Sequence, residues 1–309
     1  MKLISIVTAC FNEEDNVEKL YLRVKDIFAS LPAYRYEHIF IDNSSKDRTV
    51  PILKTIAQKD HNVKLIINTR NFGHIRSPFY GLLQARGDAA ISLAADFQDP
   101  PEMIGDFLKK WEEGYMTVIG IKKESQESKW MFAVRNLFYG LISRLSEIRQ
   151  ISNFTGFGLY DKKVIEILRT IDDPYPYFRG LISDIGYDIA RIEYLQPKRK
   201  AGITKNNFYI LYDLAMLGIT NHSKVPLRLA TMLGFSVSII SVLFALGYFI
   251  YKLIFWSSFS VGIAPLVIGL FFFSAVQLFF IGIIGEYIGS IHTQILKRPL
   301  VIEKERINF

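Results

Sequence analysis

The stretch "AAISLAADFQDPPE", residues 89–102, decides how this chain is read. Its first half is small and apolar, as in a strand buried on both faces. It then carries Asp96 and Asp99, with Gln98 between them, and stops at Pro100 and Pro101. A carboxylate just past a strand end can hold Mg2+ or Mn2+, because hard cations take oxygen ligands. An acidic turn without a ligand looks the same, so one aspartate settles nothing. The proline pair adds a rigid turn and the opening of a helix.

The same pattern recurs upstream. "LISIVTA" (3–9), "YEHIFID" (36–42) and "VKLIIN" (63–68) are further apolar runs, and helical spacing covers about 14–30, 47–59 and 74–86. In the first of these helices Val17, Leu20, Tyr21, Val24, Ile27 and Phe28 recur every three or four positions. Strands alternating with helices predict βαβ units, an α/β fold and a mostly parallel sheet. Ligands of such sheets lie outside the carboxyl ends of the strands. There the chain places "CFNEED" (10–15), "DNSSKD" (42–47), "TRNFG" (69–73) and "DFQD" (96–99). Asp42 suits a sugar hydroxyl or a base N–H, or belongs to a capping network in which Ser44 or Ser45 starts the next helix. Further on, "KRKAGITKN" (198–206) sets Arg199 and Lys205 around a glycine. Such a loop clamps phosphate, or is a basic surface loop beside a membrane.

The last third differs in kind. Leu229–Tyr251 and Leu253–Gly285 carry no charge. Each run exceeds the roughly 20 apolar residues that span a bilayer as a helix. They predict a transmembrane hairpin, with spans at about 229–252 and 264–288. Lys224, Arg228, Lys297 and Arg298 flank it, which places both ends in the cytoplasm by the positive-inside rule. Glu13, Glu14 and Asp15 follow "LISIVTA" too closely for a secretory signal. The single cysteine, Cys10, excludes an intrachain disulfide and suits a reducing compartment. The formal charge of +7 gathers near the membrane at Lys198, Arg199, Lys200, Lys205, Lys224 and Arg228, which favours anionic headgroups or phosphates. No recognition helix or aromatic RNA-binding signature points to nucleic acid. Segments 127–148 and 206–222 have the spacing of helices lying on a membrane surface, although the first also reads as a core helix. Gly285 and Gly289 form a G-x-x-x-G pair, for packing within the chain or, the favoured reading, between subunits of a homo-oligomer.

Taken together, these clusters resemble the family 2 glycosyltransferases of GT-A fold. More narrowly, they are similar to the polyisoprenyl-phosphate glycosyltransferases, the bactoprenol glucosyltransferases and dolichol-phosphate mannose synthases. "SIVTACFNEEDN" resembles their opening nucleotide-binding strand and loop, and "FIDNSSKDRT" their D-D-x-S-x-D-x-T segment. The segment "RNFGHIRSPFYGLLQARGDAAISLAADFQDPPE" resembles the R-N-x-G helix and acidic metal motif. "PYFRGLISDIGY" and "RKAGITK" resemble acceptor-side motifs, and "IGIIGEYIGSIHTQILKRP" the second membrane helix of the bacterial members.

The resemblance implies inverting transfer of a hexose, glucose foremost, from a UDP-sugar to a polyprenyl phosphate at the cytoplasmic face of the inner membrane. It implies that Thr8, Cys10, Asn12, Glu13, Asp42, Arg70, Asn71 and Gly73 line the nucleotide pocket. Asp96 would hold Mg2+ or Mn2+ on the diphosphate, with Gln98 near the sugar or acceptor, and Arg135, Arg199 and Lys205 would meet phosphate. Asp96, Gln98, Arg199 and Lys205 form the implied catalytic set. The expected organisation is a GT-A domain at 1–205, a juxtamembrane helix at 206–225, the hairpin at 226–296 and a cytosolic tail at 297–309. Three departures stand out: Ala94 replaces the first acid of D-x-D, Asn43 the second acid of D-D, and Gly156 and Gly158 the acid and arginine of G-D-F-R-L. They motivate a second reading, a silent relative that binds nucleotide sugar as a membrane scaffold. A processive synthase would carry Q-x-x-R-W and more spans, and neither is present.

Overall fold

A computed structural model of the chain describes residues 1–123, 151, 153–197, 216–217, 220, 223–255 and 263–309. Four strands, β1 (Lys2–Cys10), β2 (Tyr34–Asp42), β3 (Val63–Asn68) and β4 (Ala89–Ser92), lie parallel in the order 3-2-1-4. With β5 (Thr117–Lys122), β6 (Phe154–Asp161), β7 (Ile189–Tyr194) and β8 (Glu303–Ile307) they form an eight-stranded sheet ordered 7-5-6-4-1-2-3-8. Only β6 and β8 run against the common direction. The sheet is therefore mixed α/β, with the expected parallel half carrying the four polar clusters.

Helices cover both faces. Beneath one lie α1 (Val17–Ala29), α2 (Thr49–Lys59) and, after a 3-10 turn at Pro101–Met103, α4 (Ile104–Glu112). Against the other lie α3 (Gly73–Leu83), α5 (Lys162–Thr170) and α6 (Phe178–Asp184). Neighbouring residues of one strand serve opposite cores, Ile6 one and Val7 the other. That is why β1 reads as a continuous apolar run and not as an alternating one.

Three boundaries differ from the sequence reading, the first being the start of α1 at Val17 and not near residue 14. The helix expected to reach residue 86 ends at Leu83, and the strand expected to reach 95 ends at Ser92. Leu93 N still bonds Val7 O at 2.9 Å, but beyond it the chain turns away, releasing Ala94–Asp99 from the ladder. Nor does Ser44 or Ser45 cap α2, which starts at Thr49. Ser45 is instead turned back onto Asp42.

Two helices, α7 (Val225–Ile254) and α8 (Ile263–Ile295), follow. Within them Val225–Tyr251 and Gly269–Ile295 are long and apolar enough to cross a membrane, and no residue of their most apolar stretches is buried. Phe244 is 76% exposed and Leu278 68%, a surface that water does not tolerate over such an area. Among the described residues no atom comes within 4 Å of a Cβ built on Gly285 or Gly289, and Gly289 lines a cavity of about 290 Å³ with Tyr175, Met216 and Thr220. The interfacial segment 127–148 and most of 206–222 lie outside the described residues.

The tail is more than a tail. After α8 the chain returns and adds β8 antiparallel to β3. Asn308 Nδ2 donates to Ala57 O at 2.7 Å and Val63 O at 2.8 Å, and Lys54 pairs with Glu305 at 2.5 Å. Thr69 N donates to Ile302 O at 2.9 Å. At the membrane side Tyr287 donates to Ser223 O at 2.5 Å and Gln294 to Asp173 at 2.8 Å. The end of the second apolar helix is thereby fastened to the sheet. Asn308→Ala strands two partly buried carbonyls and is expected to cost about 1–3 kcal/mol. A lower thermal midpoint, with faster amide exchange along β3, is the measurement that checks it.

Candidate active site

The carboxyl ends of β1 and β2 are laced together by their loops. Asn12 N donates to Ser45 Oγ at 2.9 Å, and Asn12 Oδ1 accepts from Lys46 N at 2.8 Å. Glu13 N donates to Thr49 Oγ1 at 2.8 Å, and Arg48 N to Glu14 at 2.9 Å. Asp42 is buried at the strand end and accepts from Ser45 N at 2.9 Å and from the Ser45 hydroxyl. Burial raises its carboxyl above the usual range, and the Ser45 hydrogen bonds oppose that.

Asn43 answers one of the departures. Its Nδ2 donates to Asn71 Oδ1 at 2.9 Å and to Gly73 O at 3.0 Å. Its Oδ1 accepts from Phe72 N at 2.8 Å and Asn68 Nδ2 at 3.2 Å. Two donors and two acceptor sites are the full capacity of a carboxamide. An aspartate would turn a carboxylate oxygen toward two oxygens. The amide thus binds the loop after β2 to the Arg70–Gly73 loop after β3. Asn71 Oδ1 also accepts from Gly73 N at 2.8 Å, which fixes the Asn71 amide orientation.

Of the sequence-predicted nucleotide set, Asn12, Glu13, Asp42, Arg70, Asn71 and Gly73 therefore come together on one rim. Thr8 and Cys10 stand apart. Thr8 is fully buried with its hydroxyl 3.1 Å from His38 Nε2, so its side chain is used inside the sheet. Cys10 is buried with Sγ 3.6 Å from Ile41 O. Burial, then the charges of Asp42, Glu13 and Asp47, push its thiol well above the ordinary value, making it a packing group.

Beyond β4 the backbone is unusual. Phe97 has φ 58°, a left-handed conformation costly for a bulky side chain, and Asn12 and Ser44 share it at φ 56° and 63°. All three are rim positions. Asp96 and Asp99 flank Phe97 and Gln98, and each aspartate is 8% exposed. Asp96 Oδ1 accepts from Gln98 N at 3.1 Å. Asp99 Oδ1 accepts from Tyr194 OH at 3.0 Å. Burial above all, with a smaller push from Asp96, raises the Asp99 carboxyl to about 6, against the Tyr194 hydrogen bond, Lys122 and the Ala94 amide. Two carboxylates at one strand end fit a divalent cation. Mg2+ in particular is held by one or two protein carboxylates with substrate phosphates. No group of three His, Cys, Asp or Glu able to hold a metal occurs among the described residues.

The remaining departure is steric. A Cβ on Gly158 would lie 2.5 Å from Val118 O and 3.1 Å from Ile119 Cα, so β6 approaches β5 too closely for an arginine there. Gly156 has φ +102° and faces the Phe178 ring, which a Cβ would meet at 3.6 Å. Gly156 also lines a cavity of about 150 Å³ with Ser92, Thr155, His74, Tyr177 and Arg179. Sequence reasoning missed Asn43 as a tie, Tyr194 as the partner of Asp99, and His74 at the cavity. Arg135, Arg199 and Lys205 lie outside the described residues.

Comparison with known proteins agrees with this geometry. Residues 5–169 match the domain "Glycosyl transferase family 2". The chain is 34% identical over 301 residues to an uncharacterized glycosyltransferase of Synechocystis sp., covering 97% of this chain and 94% of that protein. It is 34% identical over 303 residues to the bactoprenol glucosyl transferase of Shigella phage SfII, covering 98% of this chain and 97% of that one. A prophage bactoprenol glucosyl transferase homolog of Escherichia coli is 32% identical over 302 residues, 97% of this chain and 98% of that protein. In fold, the chain is similar to the crystal structure of glucosyl-3-phosphoglycerate synthase from Mycobacterium tuberculosis in complex with Mn2+, UDP and phosphoglyceric acid. That similarity has a TM-score of 0.50 at 16% identity, covering 71% of this chain and 76% of that one. The chain belongs to glycosyl transferase family 2. It is a glycosyltransferase built on a GT-A sheet, with two apolar helices attached.

Two measurements probe the site. Asn43→Asp removes two donated hydrogen bonds and is expected to cost on the order of 2 kcal/mol, seen as a lower thermal midpoint. Asp99 gives a pH-dependent signature. Its carboxyl titrates near 3.8 when unfolded and about 6 when folded, so between those values the folded state binds more protons. Stability from this group therefore falls as pH rises through that window and stays reduced above it. Asp99→Asn keeps an oxygen for Tyr194 and removes the loss. In metal-free buffer the variant should melt a few degrees above the wild type at pH 7.5, with no such advantage at pH 4.

Proposed function

We propose that this enzyme transfers a hexose, glucose foremost, from a UDP-sugar to a polyprenyl phosphate at the cytoplasmic face of the membrane. One observation supports this reading above the others. Bactoprenol glucosyl transferases match the chain from the sheet through both apolar helices, at 34% identity over 98% of its length. A long prenyl acceptor needs such an arrangement, since its chain stays in lipid while its phosphate reaches a polar rim. Lys224, Arg228, Lys297 and Arg298 at the sheet ends of the helices favour a cytoplasmic rim. The G-x-x-x-G pair Gly285 and Gly289, with no atom of the described residues within 4 Å of either Cβ position, suits a homo-oligomeric contact.

The chemistry asks little of a protein base. A phosphate monoester has its second pKa near 6 and is largely dianionic at neutral pH. Its oxygen attacks C1 of the sugar, the bond from C1 to the donor β-phosphate oxygen breaks, and UDP leaves with the electron pair. The anomeric centre inverts and no proton must be removed. An acid at Gly156 is therefore dispensable as a base. The protein brings two anions together and steadies the departing diphosphate. Asn12, Glu13, Asp42, Arg70, Asn71 and Gly73 orient the nucleotide, and Gln98 stands at the sugar end. Arg135, Arg199 and Lys205 supply positive charge to the acceptor. Asp96 would hold Mg2+ or Mn2+, which when bound neutralises charge on the leaving diphosphate. Asp99 supplies the second carboxylate that Ala94 does not. Position 94 still contributes its amide, hydrogen-bonded to Asp99.

The test is a transfer assay on full-length protein in membranes, with labelled UDP-glucose, polyprenyl phosphate and either cation. Lipid-extractable label is expected, falling at least 100-fold in Asp96→Ala and on chelation. Label with a different nucleotide sugar alone would replace glucose. UDP binding without transfer from any donor would sink the enzyme reading in favour of a silent scaffold.

A further inference from the structure

Two guanidinium groups, Arg70 and Arg76, share one ring where the second apolar helix returns to the sheet, and Arg298 precedes Pro299, whose carbonyl Arg76 holds. Arg70 and Arg76 both lie over the ring of Phe72, their guanidinium carbons 4.0 and 5.4 Å from its centroid. Arg298 stands three residues beyond the end of α8. Burial, then the neighbouring charges of Arg70 and Arg298, push the Arg76 guanidinium below its ordinary value, with Tyr175 opposing.

These arginines have spent little of their hydrogen-bonding capacity. Arg76 Nη2 donates to Pro299 O, and Arg70 Nη1 to Asn71 O at 3.2 Å. The buried Nε of Arg76 has no hydrogen-bond partner among the described residues. None of the three pairs with a carboxylate among those residues. Their neighbours behave otherwise: Lys297 pairs with Asp172 at 3.1 Å and Arg306 with Glu303 at 2.5 Å. Cations held together without a counter-charge among the described residues repel one another, so an anion from outside the chain is a natural complement. Its depth is set by Arg298, three residues past Ile295, where the apolar stretch Gly269–Ile295 ends. That is the level of lipid headgroups, where basic residues collect phosphates. Guanidinium forks suit phosphate oxygens better than point charges do.

We propose that Arg70, Arg76 and Arg298 form a clasp for the phosphate of a membrane lipid, seated beside Phe72 at the sheet end of α8. The clasp rests on the placement of α8 in the bilayer and not on sugar transfer. Two lipids carry the required chemistry, an anionic glycerophospholipid and a polyprenyl phosphate. Arg70 also borders the donor rim, so Arg76 and Arg298 carry the test.

The experiment is native mass spectrometry of the full-length protein in nonionic detergent, without donor. The probes are phosphatidylglycerol, undecaprenyl phosphate and phosphatidylcholine, whose choline offsets the phosphate charge. An arginine near an anionic surface is worth about fivefold in binding, so Arg76→Gln with Arg298→Gln should weaken retention of one anionic lipid by about 25-fold. Phosphatidylcholine retention should not change, and the Arg76→Lys, Arg298→Lys protein should keep most of the binding. Loss confined to phosphatidylglycerol identifies a headgroup site, and loss confined to undecaprenyl phosphate an acceptor site. Equal retention of both by wild type and glutamine variant overturns the clasp. So does a variant that loses UDP binding while holding both lipids, which would assign the arginines to the donor. Since no transfer is read, neither outcome depends on the proposed reaction. Flotation on neutral vesicles, expected of wild type and variant alike, checks the membrane placement separately.

Discussion

Parallel pairing of β1 with β2 on one side and β4 on the other is the constraint from which the chemistry follows. The nine-residue register from Lys2↔Tyr34 to Cys10↔Asp42 brings two strand ends level. Parallel neighbours need long crossovers, so each strand must be left through a loop at the same rim. Those loops carry Asn12, Asp42, Asn43, Asn71 and, from β4, Asp96. Buried hydrogen bonds then convert separate loops into one surface. Asn43 is the clearest case, since all four of its side-chain hydrogen bonds go to the end of β3 and the loop that follows it.

The β8 strand imposes a second constraint of the same kind. Under the proposed function, the sheet must be held at a fixed height relative to the lipid that carries the acceptor. A flexible linker would leave that height to chance. Antiparallel pairing with β3, the Asn308 amide on two carbonyls, and the grip of Thr69 on Ile302 remove most of that freedom. The same return of the chain sets Pro299 O against Arg76, with Arg298 the residue before it, so the fastening and the cationic cluster share one origin.

The departures from the family pattern separate into kinds. At Asn43 the amide is what the local bonds require. At Gly158 the backbone of β5 leaves no room for a side chain. At Ala94 the chain loses a carboxylate, yet Asp99 is folded back to within reach of the Ala94 amide and the charge of Asp96. The first two are structural solutions specific to this sheet. The third redistributes acidic groups within one loop.

The sequence alone determined the alternation of strands and helices, the rim that bears the polar clusters, and the two uncharged spans. These are local properties, since burial on both faces and helical periodicity are written in adjacent residues. It could not determine that 303–307 is a strand, because "EKERI" is polar and its pairing with β3 lies more than 230 residues away in the chain. Nor could it show that Thr8 and Cys10 point into packed interior although they share a strand with the rim. Tyr194 stands on β7 and Asp99 in the loop after β4, 95 residues apart, and no local pattern links them. Contacts of that kind are set by which strands become neighbours, a choice made by the packing of two cores on one sheet. Tertiary structure alone decided them.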